Sequence, residues 1–355
     1  MVKIRIDNRE YEVAESSTVL EAASAAGLTI PTLCHKEGMP HYSSCMVCMV
    51  NDRSRNTFLP SCSALVRDGM DIDASGQEVV DIRKKALEML FSEHRAECEA
   101  PCRIVCPAGY NIPLMNRLLS SKDYNGTIQL IASEIGSDEI SCINCKAYCE
   151  NACRRKKIDN PVSIRNTKLF ISQEIKTKGL TSVLNEAAGI IGKKSRPFSS
   201  RTGKIEAAEL QEWLKECIDD VSRHRDITDY LSAEEESVSC MHCDCRAAGD
   251  CRLRDLAQSF ELKDPPKIVN APIVKKINLN TGLVFENAKC IKCGLCVRLC
   301  EDTPDEPALC FIQRGFVSII SEPLGVEFDD VLKTRSKAVV DICPTGALRM
   351  KENFD

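Results

Sequence analysis

Apolar and polar residues alternate at the start of the chain. VKIRI and EYEV each place an apolar residue at every second position. The Asp7-Asn8 pair between them favours a turn, so a hairpin of two short strands is expected. The period then lengthens. Val19, Leu20 and Ala23 share one helical face between Thr18 and Ala26, and Gly27 stops the helix. A loop-rich stretch follows. Val80, Ala86, Leu87, Leu90 and Phe91 then predict a helix over 79–94. Two more helical segments are expected near 112–121 and 124–135. Residues 176–204, which include GKKSRPFSSRTGK, read as a linker. Beyond it Leu210, Trp213, Leu214, Cys217, Ile218 and Val221 form the stripe of an amphipathic helix over 206–222, with Cys217 as a small core hydrophobe. No repeat of fixed period is visible.

Composition changes the picture in one respect. Hydrophobic residues make up 43% of the 355 but aromatics only 5%, which suggests several small modules organised by something besides apolar burial. Cysteine is the outlier, with 22 residues. The N-terminal MVKIRIDNREYEV carries no apolar signal stretch, and no run of about 18 apolar residues is present to span a membrane. A reducing cytoplasm is therefore expected, where dense cysteine means metal or redox chemistry rather than disulfides. The net charge of −5 argues against nucleic acid. The single basic run, Arg154-Arg155-Lys156-Lys157, reads as a solvated face.

The cysteines fall into runs. The first is Cys34-x10-Cys45-x2-Cys48-x13-Cys62. A 2Fe–2S centre needs four thiolates, and here a loop supplies three and a later element the fourth. A mononuclear zinc site usually pairs two short-spaced dithiols instead. The ten-residue gap resembles the N-terminal domain of iron-only hydrogenases and of the large iron–sulfur subunit of NADH–quinone oxidoreductase. The resemblance continues through Ser61-Cys62, Asp68-Gly69-Met70 and the helix to His94. It implies a β-grasp ferredoxin fold over residues 1–78.

The second run is Cys98-x3-Cys102-x3-Cys106-Pro, and the third is Cys142-x2-Cys145-x3-Cys149-x3-Cys153. With the words CRIVCPAGYNIP and CENACRRKKIDNPVSI, residues 79–175 resemble the helical two-cluster domain of the glutamate synthase small subunit and of dihydropyrimidine dehydrogenase. In that family each of two 4Fe–4S clusters takes ligands from both runs. The family's leading Cys-x2-Cys is absent, which leaves seven cysteines for eight positions. His94 is one candidate for the eighth, since histidine replaces cysteine in some clusters; a helix-terminal surface histidine is the other reading. His94-x3-Cys98 also resembles the start of the hydrogenase-type His-x3-Cys-x2-Cys-x5-Cys site. The end of that site reappears as Cys245-x5-Cys251, as though a two-cluster domain were inserted into it.

The fourth group, Cys240-x2-Cys243-x1-Cys245-x5-Cys251, packs four thiols into twelve residues. It reads as a compact, self-sufficient 4Fe–4S site over 236–262, with structural zinc as the rival. Residues 176–235 would be linker and helix. The last region, 263–355, resembles a bacterial ferredoxin. Cys290, Cys293, Cys296 and Cys343, which lies in a Cys-Pro-Thr-Gly-Ala-Leu tail, are implied to hold one 4Fe–4S cluster. Lys333, Ser336 and Val339 occupy the positions where a second cluster would need cysteines. Cys300 is expected in the apolar space left by that lost cluster, near Val339 and Cys310.

The expected fold class is thus α+β and multi-module, with one 2Fe–2S and about four 4Fe–4S clusters. No Walker loop and no G-x-G-x-x-G occurs, so no nucleotide fold is expected within the chain. No catalytic hydrogenase domain follows Leu348. The resemblances imply a non-catalytic electron-transfer subunit. A flavoprotein that oxidises or reduces NAD(P)H would dock on the two-cluster region, and another redox subunit or ferredoxin would lie beyond. A redox-sensing or scaffold protein is the alternative.

Overall fold

The computed structural model describes residues 1–95, 98–135, 142–177, 223–247, 249–262, 274–301 and 305–351. The helix expected over 206–222, with Cys217, and most of the linker lie outside the described residues. The chain forms two units. One comprises Met1–Arg95, Gly249–Ala271 and Lys276–Met350, and the other Ala96–Ala248, Pro272–Lys275 and Lys351–Asp355.

The first unit opens with β1 (Val2–Ile6) and β2 (Arg9–Val13), paired antiparallel. Asp7 and Asn8 between them have φ of +46° and +68°. A two-residue hairpin turn needs this left-handed backbone, and Asn and Asp tolerate it best after Gly. Helix α1 (Val19–Ala25) starts in a capping box. Thr18 Oγ1 accepts from Glu21 N at 3.2 Å, and Glu21 Oε2 accepts from Thr18 N at 2.7 Å. Strands β3 (Met49–Asp52), β4 (Thr57–Pro60) and β5 (Asp71–Asp73) complete a mixed sheet of order β2-β1-β5-β3-β4, with β1 and β5 parallel. Ile4, Ile6, Val19, Val50 and Ile72 fill its core, and Cys48 and Cys62 belong to the same core. Helix α2 (Gln77–Glu93) is tied to β3 by Arg83, whose Nε donates to the Met49 carbonyl at 2.9 Å.

The described part of the second unit is helical. It contains α3 (Pro101–Ile104), α4 (Ile112–Ser120), α5 (Tyr124–Ile135), α6 (Tyr148–Asn151), α7 (Ile164–Thr177) and α8 (Tyr230–Ser237). Met115, Leu119, Ile131, Ile171 and Ala233 are among the residues that make its core. Only half of the basic run is the solvated face expected from the sequence: Lys156 and Lys157 are exposed, but Arg154 and Arg155 are buried. Arg155 is held by Asp159, at 2.8 Å to Nε, and by the Ser239 carbonyl, at 3.3 Å to Nη1. These partners compensate the loss of water.

The first unit resumes with α9 (Arg252–Ser259). Strands β6 (Lys275–Ile277), β7 (Leu283–Glu286) and, at the C-terminus, β10 (Leu348–Met350) form a sheet of order β10-β7-β6. Within this region lie α10 (Leu295–Arg298), the antiparallel pair β8 (Cys310–Ile312) and β9 (Ile319–Ser321), and α11 (Ser336–Ile342). Leu283, Leu309, Leu332 and Val339 share a core with Cys300, whereas Cys310 is only partly buried, on β8.

The units cut across two of the expected segments. Helix α2 packs with the first unit rather than with the two-cluster region, and the segment 236–262 is divided between the units. Among the described residues, no helix is long and apolar enough to cross a membrane.

Candidate iron–sulfur centres

In the first unit Cys34, Cys45, Cys48 and Cys62 are all buried. They form two adjacent pairs. The Cys45 thiol hydrogen-bonds Cys34 and draws it down to about 5, while the same bond and burial push Cys45 far up. Likewise the Cys48 thiol draws Cys62 down to about 7, assisted by Ser43. Two pairs match the two irons of a 2Fe–2S centre. The loop that presents them is fixed by Ser61, whose Oγ donates to the Cys48 carbonyl at 2.8 Å, and by Ser43, which donates to Ser63 Oγ at 2.7 Å.

The C-terminal set of the same unit is Cys290, Cys293, Cys296 and Cys343, which line one pocket. Burial pushes Cys290 and Cys293 up to about 12, and the neighbouring thiols add to the shift. Gly294 has φ of +72°, and a Cβ there would come within 3.2 Å of the Phe311 and Tyr42 rings. The cysteine run can therefore turn only at glycine. Cys300 stands apart from these four. Its thiol is raised by burial, and the charges that act on it are those of Arg335 and Glu306.

Arg298 joins these two centres. Its Nη2 donates to the Cys34 carbonyl at 2.7 Å and to the Cys293 carbonyl at 3.2 Å. Nη1 donates to the Pro40 carbonyl, and the guanidinium lies 4.5 Å from the centre of the Tyr42 ring. Tyr42 in turn donates to Glu301 Oε1 at 2.7 Å. One buried cation thus bridges a backbone carbonyl of each ligand set.

In the second unit Cys106, Cys142, Cys145 and Cys149 line a cavity of about 230 Å³ together with Lys168 and Arg165. Arg165 fixes the cysteine loop, donating from Nε to the Cys142 carbonyl at 2.9 Å. Lys168 is buried, with Nζ 4.5 Å from the centre of the Tyr110 ring. Burial opposes its charge, but the thiolates of Cys142, Cys149 and Cys106 outweigh that and raise its pKa.

The remaining candidates are placed as follows. Cys102, Cys153 and Cys240 pack against the second unit's core. Cys98 accepts at its carbonyl from the Cys245 N–H at 3.2 Å. In the first unit, His94 ends α2 with its N–H on the Leu90 carbonyl, and its ring is edge-on to Phe91. Cys251 caps α9, its Sγ accepting from Arg254 N at 3.5 Å. Among the described residues, no three His, Cys, Asp or Glu side chains close on a point as a single metal ion requires.

Sequence reasoning missed Lys168 and Arg298. Lys168 carried a signal, because it interrupts the stripe Ile164, Ile171, Ile175 at helical spacing. Arg298 carried none, since its partners Cys34 and Pro40 lie more than 250 residues away in sequence.

Comparison with known proteins agrees with this geometry. Residues 1–77 match the family described as 2Fe-2S iron-sulfur cluster binding domain. Residues 77–180 match dihydropyrimidine dehydrogenase domain II, 4Fe-4S cluster, and residues 283–349 match the ferredoxin-like domain of NADH-quinone oxidoreductase subunit 3. The chain therefore carries one 2Fe–2S and two 4Fe–4S domains. Among curated relatives, the NADPH-Fe(3+) oxidoreductase subunit alpha of Geobacter sulfurreducens is 32% identical over 116 residues, which is 33% of this chain and 13% of the relative. The NADP-reducing hydrogenase subunit HndD of Solidesulfovibrio fructosivorans is 30% identical over 43% of this chain and 28% of its own length. The NAD-reducing hydrogenase HoxS subunit gamma of Cupriavidus necator is 28% identical over 42% of this chain and 64% of its own. This chain thus spans only part of these relatives. A crystal structure of NAD+-reducing [NiFe]-hydrogenase shares the fold over 99% of this chain and 88% of its own, with a TM-score of 0.50 at 17% identity.

Two outcomes are expected. Lys168→Met removes a buried positive charge beside the Cys106 set and lowers the potential of the centre held there. The shift is about 0.1 V for a unit charge some 6 Å away at an effective dielectric of about 20. An EPR-monitored redox titration reads it, and an unchanged or raised potential would contradict the placement. Cys343→Ala abolishes one 4Fe–4S signal, whereas Cys300→Ala costs on the order of 1 kcal/mol of stability and leaves the iron content intact. The reverse result would require a new ligand set.

Proposed function

We propose that this chain is an iron–sulfur electron-transfer subunit. It relays electrons between a flavoprotein that exchanges them with NAD(P)H and another redox subunit or ferredoxin. The observation that carries the reading is Arg298, whose Nη2 donates to the Cys34 carbonyl and to the Cys293 carbonyl and so ties the run read as 2Fe–2S ligands to the run read as 4Fe–4S ligands. Sites meant only for structure have no need of such a contact.

The first ligand set suits a β-grasp ferredoxin domain, with Cys34 and Cys45 on one iron and Cys48 and Cys62 on the other. Cys290, Cys293, Cys296 and Cys343 suit one 4Fe–4S cluster, and Cys106, Cys142, Cys145 and Cys149 suit a second. A fourth 4Fe–4S cluster enters the count on the cysteine number of the sequence alone. When bound, such clusters accept and pass on single electrons. The protein's own part is to hold them, exclude water and set their potentials with nearby charge. Arg298 and Lys168 are buried cations that would favour the reduced, more negative state of the centres they face. The nicotinamide chemistry of the relatives supports a flavoprotein partner, since a single-electron relay cannot by itself accept a hydride.

Anaerobically loaded full-length chain should contain about 18 iron atoms, from one 2Fe–2S and four 4Fe–4S clusters. Mixed with NADH or NADPH alone it should stay oxidised. Adding the flavoprotein that co-purifies with it should bleach the cluster absorbance. Reduction by NAD(P)H without that partner would contradict the relay.

A further inference from the structure

We propose that Cys102, Cys153, Cys240 and Cys243 together hold a single 4Fe–4S cluster, so that a Cys-x2-Cys pair from the far side of the linker completes the helical domain. The inference rests on the iron–sulfur reading above and replaces the compact site expected over 236–262.

Four contacts triangulate the arrangement. Arg155, two residues after Cys153, donates to the carbonyl of Ser239, one residue before Cys240. Cys245, two residues after Cys243, donates its N–H to the carbonyl of Cys98, four residues before Cys102 in sequence. Ser237 Oγ donates to Asn116 Oδ1 at 3.3 Å, which seats the end of α8 on α4. Asp244, next to Cys243, is gripped at both carboxylate oxygens by Arg117, at 2.8 and 2.6 Å. The segment 239–245 is therefore pinned on both sides against the elements that carry Cys102 and Cys153. Cys102, Cys153 and Cys240 pack on one core.

The electrostatics agree. Burial raises the Cys102 thiol well above the usual range, and the charges that add to the shift are those of Cys153, Cys240 and Cys243, with Cys149 behind them. Cys243 likewise feels Cys240 and Cys153. Four buried thiols within electrostatic reach cannot all ionise unless a cation-rich centre offsets their charge, and iron binding displaces their protons to solvent. The Arg117–Asp244 pair would orient the loop. Both of its hydrogen bonds are short and run from the planar guanidinium to the two carboxylate oxygens.

Chemical sense favours the same grouping. The seven cysteines of 98–153 leave one centre complete, on Cys106, Cys142, Cys145 and Cys149, and three over; with Cys98 set aside for the His94-x3-Cys98 pattern of the sequence, Cys102 and Cys153 are two ligands short. Cys240 and Cys243 supply the missing pair at the spacing iron–sulfur proteins use.

The test compares two double variants of the full chain, Cys102→Ser with Cys153→Ser, and Cys240→Ser with Cys243→Ser. Each should lose about four iron atoms and the same reduced-state EPR signal. The quadruple variant should lose no more than either double. A compact site on 240–251 predicts the opposite: two different signals vanish, and the quadruple variant loses about eight irons. If the doubles do not fold, single Cys102→Ser and Cys243→Ser variants give the same comparison, because an oxygen ligand should perturb one common signal. Perturbation of two different signals would overturn the proposal. Absence of iron and of any cluster signal from the unmodified chain would instead defeat the iron–sulfur reading itself.

Discussion

Mutual repulsion among buried thiolates is the constraint around which this chain is organised. Each cysteine set gathers sulfurs where burial first, and neighbouring negative groups after it, push the thiols up, to about 12 for Cys149, Cys240, Cys290 and Cys293. An arrangement of this kind opposes folding unless something positive sits among the sulfurs. The apolar cores are correspondingly modest and incorporate the cysteines directly. Cys48 and Cys62 are part of the N-terminal core, Cys106, Cys142 and Cys149 part of the helical one, and Cys296 part of the C-terminal one. Binding of clusters and folding are therefore coupled, as in other small metal-organised modules.

Buried cations form the second layer. Arg298 and Lys168 each lie against a ligand set, and Arg117 holds the aspartate beside Cys243. None of the three is at a surface where charge is cheap. Arginine suits the bridging positions because its planar fork serves several carbonyls or a carboxylate at once. Lysine suits the thiol pocket because its charge is a compact point that can sit over the Tyr110 ring.

The sequence makes some of this legible and hides the rest for identifiable reasons. Cysteine spacing within a run is a local property, so the ligand runs and their chemistry can be read directly. Helices such as α2 and α4 announce themselves by apolar residues at the 3.6 period. Strands β3 to β5 do not, because MVND, TFLP and DID are three or four residues long, and the first and last carry polar side chains at buried positions while TFLP buries none of its residues fully. The basic run at Arg154 misleads because burial depends on Asp159 and Ser239, of which one is distant in sequence. The grouping proposed for Cys240 and Cys243 is hidden for the same reason. Local economy favours four thiols within twelve residues, whereas the proposed cluster would join two of them to Cys102 and Cys153, which precede the linker in sequence.

The central claim is that the two centres proposed for the first unit are wired to one another rather than merely stored. Low-temperature EPR of the fully reduced, iron-loaded chain tests it most directly. The 2Fe–2S and C-terminal 4Fe–4S centres, joined through Arg298, should interact magnetically, with split or broadened signals that revert to simple ones when only one of the two is reduced. Two sharp spectra that add without interaction at full reduction would contradict the account.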